Sequence, residues 1–148
     1  MAALQNNDTY VGQLLVKDGI ITRQELEEGL LEQKKSKDFL CSTIVRLGFA
    51  SEEKIYSILS LQIGVPFLSL ENVKIDADIL NRVPASFVRA SLCLPLKIVG
   101  RVFYLAMADP LDAKTVEEAK SYVRADEMRI FLSGENAIRQ AVKTYYGF

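Results

Sequence analysis

Leu15-Val16-Lys17-Asp18-Gly19-Ile20-Ile21-Thr22-Arg23-Gln24-Glu25-Leu26-Glu27-Glu28-Gly29-Leu30-Leu31-Glu32-Gln33 decides the fold, because it returns 29 positions later. The second copy reads Ile44-Val45-Arg46-Leu47-Gly48-Phe49-Ala50-Ser51-Glu52-Glu53-Lys54-Ile55-Tyr56-Ser57-Ile58-Leu59-Ser60-Leu61-Gln62. Leu15, Val16, Gly19, Leu26, Leu30 and Gln33 fall on Ile44, Val45, Gly48, Ile55, Leu59 and Gln62, and Thr22 falls on Ser51. Each copy is an apolar pair, a glycine, a hydroxyl residue, then apolar residues at four-residue steps ending in glutamine. Two copies are too few for a solenoid, which needs at least about three to bury a continuous core. The doubling predicts one compact lobe.

Worked outward, the pattern predicts four short helices in two hairpins. The first starts at an Asp8 or Thr9 cap, carries Val11, Leu14 and Leu15, and ends at Gly19, where a left-handed cap belongs. Thr22 and Glu25 form a capping box for the second. Lys34-Lys35-Ser36-Lys37 reads as a polar connector. Asp38 is placed to cap the third helix, Gly48 to end it, and Ser51 to cap the fourth, whose first turn holds Glu52 and Glu53.

Gly64-Val65-Pro66 breaks the helical period, and the residues beyond change class. Phe67–Leu70 reads as a short strand and Ile75–Arg89 as two helical pieces split by Pro84. Leu94–Val99 and Val102–Ala106 flank Gly100-Arg101, a pair that favours a type II′ hairpin. A helix with Val116, Ala119 and Val123 follows, with Asp109 its expected cap and Pro110 in its first turn. Met128–Leu132 reads as a strand, and Ile138, Ala141, Val142 and Tyr145 mark a last amphipathic helix. Pro95 belongs at the start or edge of its strand. The expected fold class is α+β: a helical repeat lobe over 1–63, a joint over 64–66, and a small α/β lobe with a mixed sheet over 67–148.

Composition narrows the function. The 148 residues are 49% apolar with a net charge of −1, the balance of a chain with a real core. Residues 1–66 carry seven Lys/Arg against nine Asp/Glu, and residues 67–148 eleven against ten. Neither half has the basic footprint that duplex nucleic acid or an anionic membrane requires, which also weighs against reading the paired helices as a DNA-binding motif. No run approaches the roughly 18 apolar residues of a spanning helix, and the start lacks a signal peptide, so the expectation is a cytoplasmic protein without direct membrane insertion. There is no histidine. Cys41 and Cys93 lie outside any metal or redox spacing and read as buried thiols. No phosphate-cradling G-x-x-x-x-G-K-[ST] run exists and no nucleophile has a base partner, so no catalytic residues and no metal site are assigned.

The doubled motif, the joint Leu61-Gln62-Ile63-Gly64-Val65-Pro66-Phe67, the run Leu105-Ala106-Met107-Ala108-Asp109-Pro110-Leu111-Asp112 and the closing Tyr145 occur in an order that resembles the N-terminal domain of the secretion and pilus ATPases. These are the type II secretion and type IV pilus motors. The resemblance implies a non-catalytic regulatory or docking module. Its partner would be the cytoplasmic part of an inner-membrane platform protein or an ATPase core, which would place it peripherally at the inner membrane. In some members of that family the doubled motif binds cyclic di-GMP, and each copy begins Arg-Leu-Gly.

Carried over by position, the first copy supplies Tyr10, Val11, Gly12, Gly19, Leu26, Leu30 and Gln33. The second supplies Phe39, Leu40, Cys41, Gly48, Ile55, Leu59 and Gln62. Asp109 is the acceptor the resemblance implies for guanine N–H donors. Tyr10 and Phe39 stand where the family's arginines read a guanine edge and neutralise phosphate. Aromatics stack on bases, worth about 1–3 kcal/mol, but bring no charge. Cys41 adds a side chain where glycine allows close approach. Cyclic di-GMP is therefore a disfavoured ligand, and no other cofactor is implied. The leucines equally fit a helix core, the glycines equally fit caps, and Gln33 and Gln62 either cap a lobe interface or touch a ligand.

Overall fold

The structure, a computed structural model, describes the backbone of residues 8–36 and 40–147, with side chains from Val11 onward. It divides into two compact units with the boundary after Gly64.

The first unit is helical: α1 (Asp8–Lys17), α2 (Arg23–Ser36), α3 (Leu40–Arg46) and α4 (Glu52–Ile63). α1 and α3 each pack on α2 and α4. Leu15, Leu40, Ile44, Ile55 and Leu59 have no solvent-exposed surface, and each such side chain contributes about 1.5–3 kcal/mol of burial. α1 takes in both Asp8 and Thr9, so its cap, like Asp38, lies outside the described residues. The expected connector is shorter than its sequence suggests, because α2 continues through Ser36. Lys34 and Lys35 are good helix formers, and at a helix C-terminus their charge complements the backbone dipole.

The second unit contains α5 (Ala77–Arg82), α6 (Ala85–Ser91), β1 (Cys93–Val99), β2 (Val102–Met107), α7 (Ala113–Val123), β3 (Glu127–Leu132) and α8 (Glu135–Tyr146). The strands lie in the order β1-β2-β3, with β1 antiparallel and β3 parallel to β2, a mixed sheet. Phe103, Leu105 and Met107 alternate along β2 and are buried. α5, α6 and α8 all pack against β1. Gly100 has a φ of 61° at the hairpin while Arg101 keeps a negative φ, the type II′ pattern. Pro95 lies on edge strand β1, beside an irregularity in the register between Pro95 and Lys97.

The strand expected at Phe67–Leu70 reduces to one bridge between Phe67 and Leu132. Leu132 is the last residue of β3, and the preceding Pro66 has no N–H to extend the ladder the other way. Pro66 still accepts from the Leu132 amide at 2.8 Å, and Leu68 donates to the Leu132 carbonyl at 2.9 Å. The end of α8 fastens the same stretch, with the Tyr145 hydroxyl on the Val73 carbonyl and the Tyr146 hydroxyl 3.2 Å from the Val83 carbonyl.

Candidate functional site

The repeat is reproduced hydrogen bond for hydrogen bond. At the end of α1, Asp18, Gly19 and Ile20 donate to Leu14, Val16 and Leu15 at 3.0, 3.0 and 2.9 Å. At the end of α3, Leu47, Gly48 and Phe49 donate to Thr43, Val45 and Ile44 at 2.9, 3.0 and 3.1 Å. Both are Schellman closures, and both need a glycine in the left-handed region, at φ 74° and 80°. The following helices begin alike: Glu25 donates to Thr22 Oγ1 at 3.1 Å and Lys54 to Ser51 Oγ at 3.2 Å. Only the first copy closes the full capping box, with the Thr22 amide 2.8 Å from Glu25 Oε1.

These locks carry the motif positions inward. Val11, Gly12, Leu26, Leu40, Cys41, Ile55 and Leu59 are buried, Leu30 and Gln33 are half-buried, and Gly19, Gly48 and Gln62 are exposed. The side chains of Tyr10 and Phe39 lie outside the described residues. Gly12 has a packing duty of its own, because a Cβ there would fall 2.4 Å from Leu26 Cδ1 and 3.2 Å from Leu40 Cδ2. Its repeat counterpart Cys41 is accommodated as a buried free thiol. None of the motif positions whose side chains are described carries a positive charge. A depression of 360 Å³ in this unit is lined by Ile20, Ser51, Glu53, Lys54, Ser57 and Ile58, and none of the motif positions borders it.

In the second unit Asp109 is buried, and it is not the cap of α7. Asp112 has that role, accepting from the Thr115 amide at 3.3 Å and the Thr115 hydroxyl at 2.9 Å. Asp109 instead closes the turn before it, with its Oδ1 3.3 Å from the Leu111 amide and its carbonyl 3.2 Å from the Asp112 amide. Pro110 therefore sits in a turn rather than in the first turn of the helix. Both aspartates stabilise local N–H groups, so Asp109 is shaped by the fold before any ligand.

The sequence reading singled out no site in a basic cleft between α6 and α8. It measures 190 Å³ and is lined by Val88, Arg89, Leu92, Arg139, Val142 and Lys143. Arg139 is bound by the buried Glu135 through two hydrogen bonds of 2.8 and 3.2 Å. The signal available in the sequence was the four-residue spacing of Arg139 and Lys143 on an amphipathic helix. Arg89 is too far away in the chain to have been joined to them.

Residues 63–148 match the MshEN domain. Two curated relatives are type IV pilus assembly ATPases named PilB. That of Myxococcus xanthus is 29% identical over 92% of this chain, and that of Thermus thermophilus 25% identical over 81%. The chain spans only 24% and 14% of those proteins. Among solved structures, MshE with cyclic di-GMP aligns with a TM-score of 0.71 at 27% identity, covering 92% of this chain and 98% of the other. The N-terminal domain of XpsE has the same fold, with a TM-score of 0.69 at 15% identity over 94% and 95% of the two chains. Among the described residues, no helix is long and apolar enough to cross a membrane. The chain belongs to the MshEN domain family, an α+β domain of the kind that forms the N-terminal part of secretion and pilus ATPases.

Proposed function

We propose that this chain is a non-catalytic regulatory and docking module of a type IV pilus or type II secretion ATPase system, linking the motor to the cytoplasmic part of its inner-membrane platform. The observation that carries the reading is the likeness to MshE and XpsE over nearly the whole chain, while the charged ligand-reading positions of the doubled motif are aromatic. A module that keeps its helical scaffold without those cations retains surfaces rather than a pocket. Co-purification of the chain with the cytoplasmic segment of the platform protein from the same genome tests it, with a stable complex expected. Failure to bind either that segment or the ATPase core refutes it.

A second reading, cyclic di-GMP sensing, has one observation in its favour, the 27% identity to MshE in a structure containing that ligand. Against it, Tyr10 and Phe39 provide no cation for a dianion, and replacing each bidentate arginine–guanine pair forfeits about 1–3 kcal/mol. Two such replacements move a micromolar binder toward the millimolar range. Titration calorimetry is expected to find weak or no binding, and Tyr10→Arg with Phe39→Arg to strengthen it. A wild-type dissociation constant near or below about 1 µM favours the sensor reading instead.

A further inference from the structure

The basic cleft of the second unit has a chemical counterpart on the first. Its floor is Val88, Leu92 and Val142, all buried, and its rim is Arg89, Arg139 and Lys143, all exposed. Glu135 answers Arg139 at 2.8 Å, but no acid stands among the six lining residues, so the cleft is cationic as well as apolar. Such a site selects a segment that offers an aliphatic side chain flanked by acids.

α2 is such a segment. Glu27 and Glu28 are exposed, and Leu31, three and four residues on, has 62% of its surface in water. At those spacings the three side chains share one helical face. Lone exposed leucines are ordinary, but this one is neighboured by two acids and by Glu32, which is itself held by Arg46 at 3.4 Å. Lys34 and Lys35 follow one turn later, so only the N-terminal half of α2 complements a cationic rim.

We propose that two copies of this chain associate head to tail, α2 of one copy lying in the α6–α8 cleft of the next, with Leu31 on the apolar floor and Glu27 and Glu28 facing Arg89, Arg139 and Lys143. The two patches differ, so the contact is heterologous and generates a ring or an open chain rather than closing as a two-fold dimer. One helix face in one cleft falls below the about 1,200 Å² of a standard interface, so the association is weak and depends on high local concentration. This goes beyond docking to a platform and does not depend on it.

Sedimentation equilibrium of the intact chain, from about 10 µM to 1 mM at low and high salt, tests the proposal through the screening of its charge pairs. The expected result is a weight-average mass that rises with concentration and falls back in salt. Two variants locate the faces, Glu28→Gln with Leu31→Ser and Arg89→Gln with Lys143→Gln, with circular dichroism confirming that each is folded. Each alone is expected to stay monomeric. An equimolar mixture is expected to form a 1:1 complex that grows no further, because it holds one intact pair of faces. A wild-type chain that remains monomeric at every concentration overturns the proposal. So does association that survives both variants, or a mixture that does not recover it.

Discussion

Two glycines of the helical unit make the same substitution opposite in sign. Gly29→Ala, in the interior of α2, places a Cβ at 3.4 Å from Ile44 Cγ1 and from Leu40 Cδ1, ordinary van der Waals contact. Helix propensity favours alanine by about 0.8–1.0 kcal/mol, and the new methyl is buried rather than strained, so the variant is expected to be about 1 kcal/mol more stable. Gly12→Ala, in α1, gains the same propensity, but its Cβ lands 2.4 Å from Leu26 Cδ1 with Leu40 Cδ2 at 3.2 Å. Leu26 is buried and must leave its rotamer to make room. Overpacking of this kind costs about 1–3 kcal/mol, which leaves Gly12→Ala neutral to about 2 kcal/mol less stable once the propensity gain is subtracted. The robust quantity is the difference between the two variants, about 1–3 kcal/mol. Urea unfolding followed by far-ultraviolet circular dichroism reads it as a separation of midpoints at unchanged slope. If Gly12→Ala matches or exceeds Gly29→Ala in stability, the close approach of α1 to Leu26 is not what glycine serves at that position.

Other expectations follow from single features. Burial, with Glu118 adding to it, pushes the Cys93 thiol from 9.0 to about 12, and burial followed by the nearby Cys93 pushes the Tyr146 hydroxyl from 10.0 to about 12. Both groups hold their protons more tightly folded than unfolded, so their contribution is intact below pH 9 and is lost as pH climbs toward 12. Melting temperatures should be flat below that window and fall within it, and Cys93→Ala with Tyr146→Phe should flatten the fall; an unchanged alkaline limb in that variant counts against the assignment. Arg124 ends α7 in the left-handed region at φ 55°, a conformation that costs a non-glycine residue about 1–2 kcal/mol. After the greater freedom of glycine in the unfolded chain is subtracted, Arg124→Gly should gain about 0.5–1 kcal/mol in thermal unfolding, and a loss would mean that the arginine side chain makes a stabilising contact. The boundary after Gly64 leads us to propose that the units fold separately. Limited proteolysis should then cut first near Gly64 and leave two resistant fragments, whereas first cuts inside α4 or β1 would contradict it.

Local chemistry was legible in the sequence wherever a residue acts on its own neighbours. Gly19 and Gly48 end helices because only glycine enters the left-handed region without cost, and Thr22 and Ser51 begin them because a hydroxyl at that position reaches an amide three residues on. The repeat therefore announced its helices before any contact between them was known, and Gly100 announced its hairpin in the same way. Choices among equivalent local solutions were decided by tertiary structure. Asp109 and Asp112 are equally good caps by type; the burial of Asp109 in the preceding turn left the helix to Asp112. Phe67–Leu70 has the composition of a strand, but a strand is as long as its partner, and β3 ends at Leu132. Gly12 and Gly29 look alike in sequence and differ by an ångström in what faces them. The basic cleft joins Arg89 to Arg139 and Lys143 across half a domain of chain. Short-range hydrogen bonding is written in neighbouring residues, whereas burial, strand length and the meeting of distant charges exist only once the backbone has closed on itself.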